Sequence, residues 1–246
     1  MSLFAAGLTD IGTRRSSNQD TLACTVSPEG DHALAVIADG MGGYRGGEIA
    51  SRVVVEALMD ALTPVLARTP AAQVPERIQT AITLAAERLE DTRRGRPELD
   101  RMGTTVVLAW VQQQRTWLAH LGDSRGYLLR DGSLCQLTRD HTVAQRMVDD
   151  GSISPDEVAR LPFRNVLTQA LGATAEPRAT VTELALQAGD RLLLCSDGLT
   201  DALPEPNWLP LLGRWPVLDD QVRGLVDASL RNQADDNVSV VMIQYC

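Results

Sequence analysis

The strongest constraint in this chain is a device that it uses repeatedly. His32-Ala-Leu-Ala-Val-Ile-Ala-Asp39-Gly40 and Arg191-Leu-Leu-Leu-Cys-Ser-Asp197-Gly198 are each an apolar run closed by a small residue and then Asp-Gly. Trp117-Leu-Ala-His-Leu-Gly-Asp123 ends in an acid after glycine, and a fourth run starts from Asp235-Asp236-Asn237 instead of ending there. Short apolar runs of this kind read as strands, and strand ends are rigid supports that hand side chains to a site. A lone Asp-Gly marks a turn, and Asp131-Gly132 between two short runs is that ordinary case. Four acids in the same placement need more than a turn. Two carboxylates ~5 Å apart at an effective dielectric of ~20 repel by about 3 kcal/mol. Three such pairs rival the ~5–15 kcal/mol that holds a whole domain together. Hard divalent cations offset that repulsion, and an all-oxygen donor set with almost no histidine favours Mg²⁺ or Mn²⁺ over Zn²⁺.

Composition narrows the chemistry further. With 246 residues, 44% of them apolar, the chain can bury one sizeable core, so a single domain over 1–246 is expected. The balance of 23 basic against 32 acidic residues gives a formal −9, which argues against a nucleic-acid footprint. Every basic residue is arginine; there is no lysine. That excludes a Walker-type phosphate loop, a Schiff-base lysine and the usual kinase lysine. Phosphate can still be gripped, because guanidinium forks bind it bidentately. Three histidines (His32, His120, His141) are too few for a histidine-rich binuclear site. Cys24, Cys135, Cys195 and Cys246 are widely spaced, which suggests buried thiols and no disulfide framework. The opening MSLFAAGLTDIGTRR has no basic residue before its brief apolar stretch, and no apolar run approaches the ~20 residues of a membrane span. A soluble, cytoplasmic protein without a membrane partner is the expectation.

Periodicity predicts strands at 3–9, 21–27 and 33–38, then helices at 48–66 and 75–93 with stripes such as Ile78, Ile82, Ala85 and Leu89. Strands follow at 104–111, 116–121, 126–130 and 133–137, then a short helix at 141–150 and a surface flap at 151–165. Strands at 179–186 and 191–195, a helix at 219–233 and a strand at 237–245 complete the reading. Neighbouring strands interleaved with helices argue for α+β, not for alternating βαβ winding.

The segment Gly12-Thr13-Arg14-Arg15-Ser16-Ser17-Asn18-Gln19-Asp20 adds a carboxylate and an arginine pair just before a strand. An acidic metal cluster beside an arginine is what phosphate-ester hydrolysis needs: metals lower the pKa of a bridging water, and the guanidinium holds the phosphoryl oxygens. A cysteine phosphatase needs arginine six residues after its cysteine, and Cys24, Cys135 and Cys195 have Gly30, His141 and Asp201 there.

The blocks 12–20, 38–43, 103–105, 122–125, 196–201 and 235–240, taken in order, resemble those of the type 2C, metal-dependent Ser/Thr protein phosphatases (the PPM family) in their compact bacterial form. The resemblance implies a four-layer α-β-β-α sandwich of two antiparallel sheets flanked by helix pairs. It implies that Asp39 bridges two metals, Mn²⁺ or Mg²⁺, with the Gly40 carbonyl as a further ligand. Asp197 and Asp236 would complete the first metal, Asp20 would serve the second, and Asp123 with Asp197 would hold a third. Arg15, in the pattern G-x-x-R-x-x-N-x-D, would bind substrate phosphate, leaving Arg14 as an ordinary surface residue. Residues 139–165 resemble the family's variable flap, about 142–165. Two departures stand out. Many members have Asn-Glu-Asp where this chain has Asn18-Gln19-Asp20, and relatives often carry histidine where Met41 and Tyr44 stand here. No histidine general acid is therefore identified. The activity implied is hydrolysis of phosphoserine and phosphothreonine on proteins by direct attack of a metal-bridging water. Its implied partners are phosphorylated proteins, including a Ser/Thr kinase and its targets, acted on by a monomer. The alternative is a catalytically silent interaction module that keeps the fold; loss of a metal aspartate or of Arg15 would signal it, and neither is lost.

Overall fold

Continuous apolar strands imply that both strand faces are covered, and the architecture shows how. The computed structural model describes residues 2–42 and 46–246. One sheet contains β1 (Leu3–Asp10), β7 (Arg125–Arg130), β8 (Ser133–Gln136), β10 (Arg191–Cys195) and β11 (Val238–Tyr245), in the spatial order β1-β11-β10-β7-β8. The other contains β2 (Asp20–Val26), β3 (His32–Met41), β5 (Val106–Gln112), β6 (Arg115–Leu121) and β9 (Thr180–Ala185) in chain order, with the short β4 (Gly103–Thr104) added to the end of β3. All these pairings are antiparallel.

The period-2 alternation of each strand sorts its residues between two layers. On β3, Leu34, Val36 and Ala38 pack against α1 (Gly46–Leu62) and α2 (Val74–Arg93), while Ala33, Ala35 and Ile37 face the opposite sheet. On β11, Val240 and Met242 lie in the layer beneath α4 (Asp197–Ala202), α5 (Trp208–Leu212) and α6 (Leu218–Arg231), while Val241 and Ile243 face β3's sheet. The result is the expected four-layer α-β-β-α sandwich. One outer layer is a helix pair; the other is a long helix with two short ones.

Other differences from the sequence reading have local causes. The first helix ends at Leu62 and not at 66, because Pro64 cannot continue an α-helical ladder and Thr63–Val65 tightens into a 3₁₀ turn. Pro75 sits in the first turn of α2, where its missing N–H costs nothing. Residues 197–202 form a helix in a stretch to which periodicity assigns no element. The flap begins with α3 (Val143–Asp149), whose first turn is capped by Thr142 Oγ1 accepting from the Gln145 N–H, and continues through a 3₁₀ segment, Pro155–Arg160. All four cysteines are free, but of the expected buried thiols only Cys195 is buried; Cys24 is half-buried, and Cys135 and Cys246 are exposed. No helix among the described residues is long and apolar enough to cross a membrane.

Candidate active site

At one end the seam between the sheets opens into a cavity of about 530 Å³. Its wall carries Asp39, Asp123, Asp197 and Asp236 together with Arg15, Gln19 and Gly40. Acids that lie up to 197 positions apart in the chain (Asp39 and Asp236) thus share one space.

Each acid is placed by its backbone. Asp39 follows Ala33, Ala35 and Ile37 on the seam face of β3. Its N–H donates to Thr105 Oγ1 at 3.0 Å, and its carbonyl accepts from Thr104 Oγ1 at 2.8 Å and from the Thr105 N–H at 2.9 Å. Thr105 Oγ1 also lies 2.7 Å from Ser124 Oγ, beside Asp123. Glycine follows Asp39 for a steric reason: a Cβ on Gly40 would lie 2.0 Å from the Gly47 carbonyl oxygen and 2.6 Å from that of Gln19. Asp197 is the first residue of α4, and a Cβ on Gly198 would lie 2.0 Å from the Asn237 carbonyl oxygen. Asp236 accepts the Asn237 N–H at Oδ1 (2.8 Å) and Arg15 Nη2 at Oδ2 (2.5 Å). Asn237 in turn donates to the carbonyls of Ile11 and Ser17 and accepts the Gln19 N–H, which stitches the arginine-bearing loop to the start of β11. Arg14 faces outward and pairs with the exposed Asp235 at 2.8 Å.

Asp20, expected to serve the second ion, sits deeper than the other acids. It is opposite Asp39 in the β2–β3 register and buried behind it, not on the cavity wall. Its Oδ2 accepts from Ser196 Oγ and Ser239 Oγ, both at 2.7 Å. Since Asp20 belongs to one sheet, while Ser196 follows β10 and Ser239 lies within β11 of the other, this carboxylate clasps the seam. The β2–β3 register sets this position, because a pairing shifted by one residue would turn Asp20 to the other face.

Crowding of like charge in a dry place raises these acids. Burial, then the charges of Asp20 and Asp197, hold Asp39 well above the usual carboxylate range; burial, then Asp123 and Asp236, do the same to Asp197. Asp20 is pushed up to about 6 by burial, against the pull of its two serines. Asp123 is pushed up to about 7 by burial and by Asp140. Oδ1 of Asp197 and Oδ1 of Asp20 are buried with no hydrogen-bond donor. Buried carboxylate oxygens of this kind are costly unless a cation or donor meets them. An all-oxygen set with unsatisfied, mutually repelling carboxylates fits hard divalent ions such as Mn²⁺ and Mg²⁺.

A second recess of about 310 Å³ adjoins Asp123 and Asp197 under the flap, lined also by Arg125, Asp140, Arg164 and Asp201. Arg125 forks onto Asp140 there through Nε and Nη2, at 2.6–3.1 Å. Neither His120 nor His141 lines the main cavity, so no histidine among the described residues is placed as a general acid. Gly43 and Tyr44, where the family pattern bears on that question, lie outside the described residues.

Four supporting residues carried no role in the sequence reading. Thr105 is signalled only by the Gly-Thr-Thr block, and Asn237 only by following two aspartates. Ser196 and Ser239 are single small polar residues next to or within apolar runs, a weak signal of a buried acceptor.

A sequence profile of the family described as protein phosphatase 2C matches residues 12–233. The chain is 37% identical over 238 residues to the serine/threonine protein phosphatase PstP of Mycobacterium tuberculosis, a match that covers 96% of this chain and 44% of PstP. It is 31% identical over 236 residues to the serine/threonine phosphatase stp of Listeria monocytogenes, over 96% of this chain and 93% of stp. A crystal structure of the catalytic domain of PstP in complex with two manganese ions superposes with a TM-score of 0.84 at 35% identity, covering 98% of this chain and 97% of that one. The chain therefore spans under half the length of PstP and nearly all of stp.

Proposed function

Because the chain belongs to the protein phosphatase 2C family, we propose that it is a metal-dependent phosphatase acting on phosphoserine and phosphothreonine in proteins. The observation that carries this reading is the meeting of Asp39, Asp123, Asp197, Asp236 and Arg15 around one cavity with unsatisfied carboxylate oxygen at its edge.

In this reading Asp39, Asp197, Asp236 and the Gly40 carbonyl hold two ions, Mn²⁺ or Mg²⁺. Asp123 with Asp197 serves a third, and Asp20 supports the second from behind Asp39. Bound ions supply positive charge that lowers the pKa of water and polarises phosphoryl oxygens. Arg15 binds the phosphate. Only one of its five N–H donors is spent on Asp236, which leaves the rest of the fork for phosphoryl oxygens. Water attacks phosphorus in line, and the serine or threonine alcohol leaves without a covalent enzyme intermediate. The one hydroxyl on the wall among the described residues, Thr105, is engaged by Asp39 and Ser124, and no cysteine lines the cavity. With no histidine on the described wall, water also returns the proton to the leaving oxygen. Asn165 and Leu167, at the return of the flap, line the cavity and restrict which phosphoproteins enter, among them a Ser/Thr kinase and its targets.

The test is hydrolysis of p-nitrophenyl phosphate and of phosphoserine and phosphothreonine peptides by purified protein with Mn²⁺, with Mg²⁺ and with a chelator. Turnover only with an added ion is expected. Turnover that survives chelation would refute metal dependence, a trapped phosphoenzyme would refute direct attack by water, and silence with every ion would favour an interaction module.

A further inference from the structure

None of the three histidines enters the phosphatase chemistry, and one of them is unusually well tied. The rings of His120 and His141 stack with centroids 4.5 Å apart and planes 17° apart. His120 Nε2 meets the Arg139 carbonyl oxygen at 2.8 Å. The His141 ring is engaged on both sides: the Gly122 N–H donates to Nδ1 at 3.2 Å, and Nε2 lies 3.1 Å from Thr180 Oγ1. A backbone N–H can only donate, so Nδ1 carries no proton and the neutral ring's proton sits on Nε2, facing Thr180. Burial and the neighbouring His120 push His141 down to about 4, which keeps Nδ1 bare at neutral pH.

The main chain of His141 adds to this. Its N–H donates to the Gly122 carbonyl at 2.9 Å, and its carbonyl accepts from the Thr168 N–H at 2.8 Å. The next residues close the flap, with Thr142 bridged to Leu167 and the Val143 N–H donating to the Val166 carbonyl. Gly122 has φ +104°, and a Cβ there would lie 2.7 Å from the side chain of Thr105, the residue that pins Asp39. We infer that His141 is a positioning residue, whose bare Nδ1 fixes the Gly122–Asp123 turn and ties it to the base of the flap. The inference rests on the phosphatase reading only in giving Asp123 an ion to serve.

Asparagine and glutamine separate the two ends of the ring. The carbonyl of His141→Asn falls near the place of Nδ1 and can accept from Gly122. The longer side chain of His141→Gln reaches toward Thr180 and leaves the Gly122 N–H without its acceptor. In the full chain loaded with Mg²⁺, amide exchange at Gly122 followed by NMR should be about 10-fold faster in His141→Gln than in the parent or in His141→Asn. With p-nitrophenyl phosphate, kcat should fall about 10-fold in His141→Gln, with KM changing less, and stay within about twofold in His141→Asn. Equal Gly122 exchange in all three proteins, or equal loss of kcat in both variants, overturns the inference. Imidazole ¹⁵N shifts of the parent test it without any variant, since a proton on Nδ1 contradicts it. If the parent shows no ion-dependent hydrolysis while Gly122 exchange follows the expected pattern, the phosphatase reading fails and the positioning role stands.

Discussion

The two Asp-Gly ends of this protein are near copies in sequence and opposites in structure. Asp39-Gly40 stays inside a strand, since β3 runs on to Met41, and its peptide groups are held by Thr104 and Thr105. Asp197-Gly198 leaves its strand and opens the helix α4. Their carboxylates face the same cavity with different neighbours: Asp39 backs onto Asp20, whereas Asp197 keeps a buried oxygen with no donor. The glycines differ as well, one admitting the first turn of α1 and the other admitting β11's leading loop. A short motif thus fixes a chemical outcome, an acid beside a close backbone contact, without fixing the secondary structure that delivers it.

The largest effect should separate the two acids themselves. Asp39, proposed to serve both core ions, should lose roughly 10³-fold or more in kcat as Asp39→Asn, against about 10²-fold for Asp197→Asn, proposed to serve one core ion and the third, at saturating Mn²⁺. A reversed ranking would break the idea that the strand-borne acid is the shared one. Next come the glycines. Gly40→Ala and Gly198→Ala should each cost about 3 kcal/mol in urea unfolding, because the added methyl meets a fixed carbonyl. Gly40→Ala should be the worse, as it meets two. Gly132→Ala, with φ +73° and nothing within 4 Å, should cost about 1 kcal/mol. Equal losses at all three positions would remove close approach as the reason for glycine at the two ends.

A smaller effect than those at the two glycines concerns what the two ends share, raised carboxylates. Asp20 at about 6 and Asp123 at about 7 hold protons in the fold that the unfolded chain gives up near pH 4. The folded state therefore binds more protons between those limits, and stability must fall as pH rises through them. Protein stripped by a chelator should be about 2 kcal/mol less stable at pH 8 than at pH 6, and added Mn²⁺ should restore the loss at pH 8. Thermal melts at several pH values check this, and stripped protein that is more stable at pH 8 would contradict it.

Much of this is legible in the sequence alone. Strands covered on both faces must be apolar throughout, so the runs at 33–38 and 191–195 announce themselves, and acids that punctuate them are conspicuous. What stayed hidden depends on tertiary placement. The helices α4 and α5, six and five residues long, are too short to show an amphipathic period. Asp20 reads as another acid before a strand, and only the facing of one sheet on the other puts it in the seam against Ser196 and Ser239. Arg14 and Arg15 are indistinguishable as a dipeptide; the Asn237 stitch turns one inward and leaves the other to Asp235.

The position of β11 has a consequence for how the protein is made. Asp236 stands two residues before it, and β11 lies between β1, whose partners are more than 220 residues away in the chain, and β10. A ribosome delivers Asp20, Asp39, Asp123 and Asp197 well before this strand, yet the sheet has a gap until it arrives, and pairings so distant in sequence form late. Until β11 is inserted, Asp236 is not held in the cavity wall beside the other acids. The proposed site is completed in one step, by a single strand.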